Sequence, residues 1–317
     1  MTDRSIASTM TDILTVTLNP TVDVSGSAET VRPIRKVRTR ETRFDPGGGG
    51  INVARVVARL GANVEALYLA GGEIGALLDR LLASEKIACH RVETGAQTRL
   101  GFIVHERTTG LEYRFVPEGP NVSPRDVASC LDYVASRSSR FVVCSGSLPP
   151  GAPDDIYARM AEAATARGAR VVLDTSGASL RQTLERTKVF LVKPSLGELA
   201  QLVGRELDAD SAAEAAMSLV SREAAEMVAV TLGADGAILA SREGVIRLPA
   251  IPVRVRSAVG AGDSFLGAMV FSLQRGRSAR EAFCMGVAAG AAAAMTPGTE
   301  LCLTDDVLRL YEGMSGD

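Results

Sequence analysis

The sequence predicts an α/β fold in which a mainly parallel sheet is covered by helices on both faces. Short apolar, β-branched runs alternate with helical stretches along most of the chain, which is typical of parallel strands joined by helical crossovers. Strands are predicted at 13–18, 64–69, 141–144, 171–173, 190–192 and 227–232. Helices are predicted at 51–60 and 74–84, and from starts near Pro153, Gly177, Ser195 and Ser211. The 317 residues are expected to form one domain over 13–317, preceded by a loose polar tail at 1–12.

Two segments interrupt this alternation and predict a second, smaller sheet. Residues 24–45 are polar and rich in arginine, while residues 98–117 alternate apolar and polar side chains across a turn at Thr109-Gly110, the pattern of a hairpin. We expect these segments to form a small antiparallel sheet, called the lid below, attached to the α/β core. A further hairpin is predicted over 236–248, followed by a strand over 251–256.

Composition and charge exclude several classes of function. The net charge of −2 gives no bulk attraction to nucleic acid or to anionic membranes, and no apolar run is long enough for a membrane span. The five cysteines and two histidines have no zinc-ligand spacing, so reduced thiols in a cytoplasmic protein are expected. The chain contains no P-loop, G-x-G-x-x-G or G-x-S-x-G motif, which disfavours P-loop enzymes, dinucleotide dehydrogenases and α/β-hydrolases.

Polar and glycine-rich turns follow the predicted strands, and ligands of open parallel sheets bind at the carboxyl ends of strands. The runs 45–50 and 257–264 each place glycines before a helix, where free backbone N–H groups can bind an anion. Asp23, in an expected turn after the first strand, Asp174 and Lys193 add charges at the same edge. Each turn alone could be an ordinary cap or a solvated charge. Their joint placement favours a site for phosphorylated ligands.

The runs Gly47-Gly-Gly-Gly-Ile-Asn-Val-Ala-Arg55 and Val259-Gly-Ala-Gly-Asp-Ser264, with Ser145-Gly-Ser-Leu-Pro-Pro-Gly151 between them, resemble the PfkB, or ribokinase-like, family of carbohydrate kinases. The resemblance extends over about 14–306 and implies a three-layer α/β/α core with a mainly parallel sheet and a β-sheet lid. Within the family, the all-glycine run, Glu112-Tyr-Arg-Phe-Val116 and Gly298-Thr-x-Leu-Cys302 are most similar to the minor-type 6-phosphofructokinase branch.

This resemblance implies ATP-dependent phosphorylation of a ketohexose monophosphate, with fructose 6-phosphate as the expected substrate. Tagatose 6-phosphate and fructose 1-phosphate are alternative substrates, because one sequence does not rank such small differences between pockets. A non-catalytic sensor of sugar phosphates or nucleotides is an alternative of another class, since a fold does not fix a function.

The residues that match the family's functional positions fall into three groups. The catalytic turn is Gly260, Ala261, Gly262 and Asp263, in which Asp263 matches the base and backbone N–H groups match an anion hole. Sugar-binding positions are matched by Asp23, Lys36, Arg38, Gly48, Gly49, Asn52, Arg99 and Ser147. Nucleotide-binding positions are matched by Lys193, Thr231, Gly233 and Gly236.

The resemblance also implies cofactors and a partner subunit. Mg²⁺ is expected with ATP, organised through water by Glu198 of an Asn-x-x-Glu motif, although Ser195 stands where the family has asparagine. The family's monovalent-cation site lies near 296–300, where Thr296 and Glu300 depart from the pattern, so K⁺ is left open as a cofactor. A homodimer through the lid is implied, in which Lys36 reaches the sugar site of the partner.

Overall fold

Within residues 11–314, which the computed structural model describes, a nine-stranded sheet forms the centre of the molecule and a four-stranded sheet forms the lid. In chain order the strands are β1 (Thr11–Thr17), β2 (Thr21–Ala28), β3 (Arg40–Gly47), β4 (Val64–Ala70), β5 (Ala88–Glu93), β6 (Arg99–Glu106), β7 (Glu112–Phe115), β8 (Ser139–Ser145), β9 (Arg170–Asp174), β10 (Val189–Val192), β11 (Ala225–Thr231), β12 (Ala237–Ser241) and β13 (Gly244–Leu248). The helices are α1 (Gly49–Arg59), α2 (Gly72–Ser84), α3 (Pro124–Ser136), α4 (Ile156–Thr165), α5 (Gly177–Arg186), α6 (Leu196–Val203), α7 (Ala209–Ser221), α8 (Ala261–Gln274), α9 (Ala279–Ala294) and α10 (Thr304–Met314).

The large sheet has the order β13-β12-β11-β10-β9-β8-β1-β4-β5. Its strands from β5 to β11 pair in parallel, and the β12–β13 hairpin adds an antiparallel edge. The strands predicted near 13, 64, 141, 171, 190 and 227 are confirmed as β1, β4, β8, β9, β10 and β11. The predicted tail at 1–12 lies mostly outside the described residues, and its last two residues belong to β1.

Two hydrophobic cores cover the opposite faces of this sheet. Successive side chains of a strand point to opposite faces, so Ile13 packs with residues of α1, α2, α8 and α9, while Leu14 packs with residues of α3, α4, α5 and α7. Val143 and Val142 of β8 divide between the two cores in the same way. Each such buried aliphatic side chain stabilises the fold by roughly 1.5–3 kcal/mol. The expected three-layer α/β/α core is confirmed.

The lid has the strand order β3-β2-β6-β7. Its outer pairs are antiparallel, but β2 and β6 pair in parallel, so the prediction of a wholly antiparallel sheet is wrong. The reason is topological: β2 follows β1 and β6 follows β5, and both therefore enter the lid from the same edge of the core. Strand β2 begins at Thr21, which places Asp23 in a lid strand rather than in the predicted turn.

The predicted strand over 251–256 is also wrong, because no strand forms there. Pro252 lacks the N–H group that a strand ladder needs. The backbone N–H of Arg256 instead donates to the carbonyl oxygen of Ala294 at the end of α9, at 2.8 Å. The segment is therefore held by a helix end and leads directly into the turn before α8.

Close packing of helices fixes the position of α8. A Cβ atom on Gly267 would lie 2.8 Å from Cβ of Val56 on α1, and one on Gly286 of α9 would lie 3.1 Å from the carbonyl oxygen of Phe265. Glycine at these positions lets the three backbones approach one another more closely than a side chain would allow. The N-terminus of α8 is thus anchored by α1 and α9 at the carboxyl edge of the sheet.

Within the described part of the chain, no helix combines the length and the apolar character that crossing a membrane requires.

Candidate active site

The turn before α8 has the geometry of an anion-binding site. Gly260 caps the helix with φ 74° and ψ 0°, a left-handed conformation that glycine adopts without strain. The N–H of Ser264 donates to the carbonyl oxygen of Gly260 at 2.8 Å, so the N–H groups of 261–263 precede the regular helical ladder. The N–H of Ala261 makes only a long bond of 3.5 Å to the carbonyl oxygen of Ala258. These groups, together with the positive end of the helix dipole, favour a negatively charged ligand.

Asp263 lies in this first turn, and its Oδ2 accepts a hydrogen bond of 2.8 Å from Nδ2 of Asn52 on α1. Burial raises the pKa of Asp263 to about 6, and the charge of Asp174 adds to the rise, while the Asn52 hydrogen bond and Lys193 oppose it. A carboxylate with a pKa near neutrality, beside free N–H donors, is suited to act as a general base.

A cleft of about 390 Å³ lies in front of this turn, at the carboxyl ends of the parallel strands. It brings together eleven of the sixteen catalytic, sugar-binding and nucleotide-binding residues predicted from the sequence, together with the predicted metal-binding residue. The predicted residues that line it are Asp23, Gly48, Gly49, Asn52, Arg99, Ser147, Lys193, Glu198, Thr231, Gly260, Gly262 and Asp263. The glycine-rich start of α1 closes one side, where a Cβ on Gly49 would lie 2.3 Å from Oγ of Ser145.

Five other predicted residues lie elsewhere or only beside the cleft. Lys36 and Arg38 are exposed on the loop between β2 and β3 and do not line the cleft. Gly233 and Gly236 line an adjoining apolar pocket, as does Ala261. The sugar site of this single chain therefore lacks the two lid cations that the resemblance implies.

An apolar pocket of about 430 Å³ adjoins the cleft and shares Thr231 and Gly262 with it. Its apolar wall includes Ile251, Val253 and Phe265. An apolar pocket that opens into a charged cleft suits a ligand with a flat base at one end and phosphates at the other.

The inner face of the lid supplies charges to the sugar end of the cleft. Asp23, Arg99 and Arg114 lie there on β2, β6 and β7. Burial raises the pKa of Asp23, whereas a Thr21 hydrogen bond and the charges of Arg114 and Arg99 oppose the rise. Arg99 is held by hydrogen bonds to the carbonyl oxygens of Pro117 (2.7 Å) and Asn19 (2.8 Å).

Arg114 is a site residue that sequence reasoning missed. It pairs with Ile103 in the lid register, two residues from Gly101, which pairs with Asp23. Since side chains two residues apart share a face of a strand, this register places Arg114 on the same face of the lid as Arg99. The alternation in the predicted hairpin indicated which residues share a face, but it did not give the register. Together the two arginines make a cationic patch suited to a phosphate dianion.

A buried ion pair lies between the lid side and the apolar pocket. Nζ of Lys193, which is 5% exposed, lies 3.0 Å from Oδ1 of Asp174, and Oγ of Ser145 donates to Oδ2 of Asp174 at 3.4 Å. Burial lowers the pKa of Lys193, but the nearby carboxylates of Asp174, Glu198 and Asp263 raise it above its usual value overall. The ammonium group therefore stays charged at the floor of the cleft. Sequence reasoning placed Asp174 at this edge but gave it no role.

Glu198 lines the cleft at the start of α6, where Ser195 is the helix N-cap. The backbone N–H of Ser195 donates to Oε2 of Glu198 at 2.8 Å and the backbone N–H of Glu198 donates to Oγ of Ser195 at 3.3 Å, which together form a capping box. The hydroxyl of Ser195 also lies 2.9 Å from Oε2 of Glu198. Among the described residues, no group of three or more His, Cys, Asp or Glu side chains is arranged to hold a metal ion directly. Such a site fits Mg²⁺ only when water and phosphate oxygens complete its coordination, which is the usual mode for this ion.

Comparison with known proteins assigns this arrangement to a family. The model of the family described as "pfkB family carbohydrate kinase" matches residues 10–306. The chain belongs to the pfkB family of carbohydrate kinases. The resemblance inferred from the two glycine motifs is thereby confirmed, and so is the inference that the chain is a kinase.

This pfkB kinase is 43% identical over 303 residues to the ATP-dependent 6-phosphofructokinase isozyme 2 of Mycobacterium tuberculosis, covering 95% of this chain and 89% of the relative. It is 33% identical over 293 residues to the 1-phosphofructokinase of Bacillus subtilis, covering 91% of this chain and 95% of the relative. The crystal structure of phosphofructokinase-2 from Escherichia coli in complex with fructose-6-phosphate superposes with a TM-score of 0.90 at 37% identity, covering 96% of this chain and all of that one. The pfkB fold with its lid is confirmed.

Proposed function

We propose that this kinase transfers the γ-phosphoryl group of ATP to O1 of fructose 6-phosphate, giving fructose 1,6-bisphosphate. The observation that carries the proposal is the cleft itself, in which Asp263 and the free N–H groups of α8 face a lid surface bearing Arg99 and Arg114. Beside the carboxylate of Asp23, which both arginines face, a phosphorylated sugar would give these two cations a further anionic partner that a sugar without a phosphate lacks. The 6-phosphofructokinase names of the relatives support the same substrate.

Each step of the transfer has a candidate residue. Asp263 accepts the proton of the attacking hydroxyl as the new O–P bond forms, and the bond between the γ-phosphorus and the ADP oxygen breaks. Lys193 and the N–H groups of 261–263 stabilise the negative charge on the transferred group. Mg²⁺, when bound with ATP, would neutralise phosphate charge, and Glu198 would orient its water ligands. The adjoining apolar pocket would hold the nucleotide base beside Thr231.

Arg114→Met is expected to lower kcat/KM for fructose 6-phosphate by about 10- to 100-fold, since hydrogen bonds to a charged group contribute about 1.5–3 kcal/mol. ADP release would be measured with Mg-ATP and fructose 6-phosphate, tagatose 6-phosphate, fructose 1-phosphate, fructose or ribose. Arg107→Met is the matched control, because the Arg107 side chain is exposed on the lid, forms an exposed ion pair with Glu29 at 4.0 Å, and does not line the cleft.

The substrate panel separates the candidate functions. The highest kcat/KM for fructose 6-phosphate in the wild type, with a loss confined to phosphorylated sugars in Arg114→Met, supports the proposal. A preference for fructose 1-phosphate would favour the activity named for the Bacillus relative. Preference for an unphosphorylated sugar would show that the lid arginines do not bind a substrate phosphate. Sugar-dependent thermal stabilisation without any ADP release would favour a sensor.

The outer face of the lid supports a homodimer as part of the proposal. Phe44, Phe102 and Phe115 are 47%, 45% and 59% exposed. Phe44 and Phe102 both pair with Val24, and Phe102 pairs with Phe115, so the aromatic rings form one row across the four strands. A contiguous exposed apolar patch of this kind marks an interaction surface. We propose that two lids pack through this row, which would let Lys36 and Arg38 complete the partner's sugar site.

Phe102→Asp is expected to convert the dimer to monomers, because a charge in the middle of the apolar row would have to be buried without a partner. Size-exclusion chromatography with light scattering measures the mass, and the KM for fructose 6-phosphate should rise along with the dissociation. Leu308→Asp on α10, where the side chain is 43% exposed, is the control and should change neither quantity. A wild-type protein that is already monomeric at micromolar concentration would contradict the lid dimer.

Two further expectations remain proposals. A cytoplasmic location is supported by five cysteines that are all free thiols.

A K⁺ ion is proposed to bind near residues 296–300. The carbonyl oxygens of Ala293 and Glu300 both lie within hydrogen-bonding distance of Oγ1 of Thr296, and carbonyl oxygens suit a hard cation. Comparing kcat in potassium chloride and in tetramethylammonium chloride at equal ionic strength tests whether K⁺ bound at residues 296–300 activates the enzyme.

A further inference from the structure

Arg55 of α1 is a buried charge next to the active site that takes no part in the transfer described above. It is 1% exposed. Its Nε donates to Oε1 of Glu85 at 2.8 Å, and its Nη1 donates to the carbonyl oxygen of Pro46 at 2.9 Å. Burying a guanidinium is costly unless its hydrogen bonds are satisfied. An aliphatic side chain would fill the same space without that cost, so packing alone does not account for an arginine.

Nη2 of Arg55 also lies 3.8 Å from Oδ1 of Asp45. A further contact of Arg55 leads towards the catalytic turn. Nη1 of Arg55 also lies 3.4 Å from Oδ1 of Asn52, one helical turn earlier on the same face of α1. With its oxygen directed at a guanidinium, the amide of Asn52 presents Nδ2, its donor, to Oδ2 of Asp263 at 2.8 Å. The reverse orientation would place the Asn52 oxygen against the Asp263 carboxylate, where two acceptors repel each other.

We propose that Arg55 is a positioning residue that holds the amide of Asn52 in the one orientation that donates to Asp263. It acts on the base through Asn52 and touches neither substrate. This inference rests on the proposed function, in which Asp263 is the base. It assigns a part in phosphoryl transfer to the arginine at the end of the glycine-rich motif, although that arginine does not line the cleft.

The electrostatic setting of Asp263 makes this hydrogen bond important. Asp174 at the end of β9 and Asp23 on β2 raise the pKa of Asp263, and Lys193 after β10 lowers it. The Asn52 hydrogen bond is the main contribution that stabilises the ionised form, followed by Lys193. Losing the fixed donor should therefore raise the pKa of the base and reduce the fraction that is ionised near pH 6–7.

Arg55→Met is expected to raise the pKa of the Asp263 carboxyl group by about one unit and to move the acidic limb of the kcat profile in the same direction. The pKa would be measured by ¹³C NMR titration of the carboxyl carbon, assigned from its absence in Asp263→Asn. This readout needs no turnover, so it tests the inference even if the substrate proposal fails. Wild-type ADP release tests the substrate proposal separately.

Three further variants distinguish positioning from simple stability. Arg55→Lys keeps the positive charge, but an ammonium group lacks the several planar N–H donors with which a guanidinium bonds Asn52 and Glu85 at once. A smaller upward shift of the Asp263 pKa is therefore expected. In an Asn52→Ala background, Arg55→Met should cause no further shift, because the residue through which it acts is gone. Glu85→Gln removes one of the two carboxylates that pair with Arg55 and should lower the melting temperature without shifting the pKa of Asp263.

Each outcome decides the matter. An upward shift in the Arg55 variants that vanishes without Asn52 supports the inference. An unchanged Asp263 pKa in every folded Arg55 variant overturns it, and so does an equal shift in Glu85→Gln. Should Arg55→Met fail to fold, Arg55→Lys and its Asn52→Ala double variant carry the same comparison.

Discussion

Asp263→Asn is expected to abolish phosphoryl transfer while leaving the fold intact. General base catalysis accelerates a reaction by about 10²- to 10⁴-fold, and an asparagine side chain cannot act as the base that accepts the proton of the sugar hydroxyl. Its side-chain oxygen can still accept the Asn52 hydrogen bond, so the turn should keep its shape. In the wild type, kcat should fall about tenfold per pH unit below the Asp263 pKa of about 6. Steady-state ADP release between pH 5 and 9 measures both effects, and a variant with more than about one tenth of the wild-type kcat would contradict the assignment.

The same substitution should stabilise the protein, which separates catalysis from folding. The pKa of Asp263 is raised in the folded state from its ordinary 3.8 to about 6. The folded state therefore binds the proton more tightly than the unfolded chain, and its stability falls as the pH rises from about 4 to 6. An asparagine side chain does not titrate, so the variant does not lose stability in this way. Its free energy of unfolding should exceed that of the wild type by about 2–3 kcal/mol above pH 7, and the difference should shrink towards pH 4. Melting curves across this range are the measurement.

Lys193→Met is expected to impair both activity and stability. Removing one preorganised donor to a transferring group costs about 10²- to 10³-fold in kcat. The change also leaves Asp174 without its cation in a nearly buried position, which should destabilise the fold by about 3–5 kcal/mol. Denaturant unfolding and ADP release measure the two losses separately. Lys188→Met, at an exposed ion pair with Glu226, should alter neither by a measurable amount.

A double variant shows which loss belongs to which cause. Lys193→Met combined with Asp174→Asn removes the unpaired charge, so most of the lost stability should return while the activity stays low. Recovery of activity along with stability would mean that Lys193 serves only to neutralise Asp174. No recovery of stability would mean that the ion pair is not what the lysine contributes to the fold.

The parts of the site that sequence reasoning predicted are those encoded within short segments. The glycines of 47–50, Gly260 and Gly262 lie at the starts of α1 and α8, and Asp263 lies within the same turn as the last two, so local backbone requirements place them there. Lys193 and Thr231 follow apolar strands, and the rule that parallel strands end at one edge of the sheet brings them into the cleft. The family resemblance then supplied their roles.

The parts that were missed depend on contacts between distant segments. Whether Asp23 belongs to a turn or to a lid strand is decided by its pairing with Gly101, far along the chain. Arg114 enters the site through the register of β7 against β6, which no local pattern states in full. Arg256 bonds to the end of α9, and this removes a strand that the alternating residues favoured. In each case tertiary pairing overrode local propensity.

The glycine contacts among α1, α8 and α9 bear on how this enzyme could be altered by laboratory evolution. Around Gly267 and Gly286 there is no space for even a methyl group without moving a backbone, so random changes there should be eliminated whatever the selection. The lid strand that carries Arg114 ends at Phe115 and is followed by Val116, and both side chains are about half exposed or more, so substitutions there encounter few neighbours. Libraries that aim at a different sugar should therefore diversify the lid and leave the three helices untouched. The lid is the part of the site that both tolerates mutation and contacts the substrate.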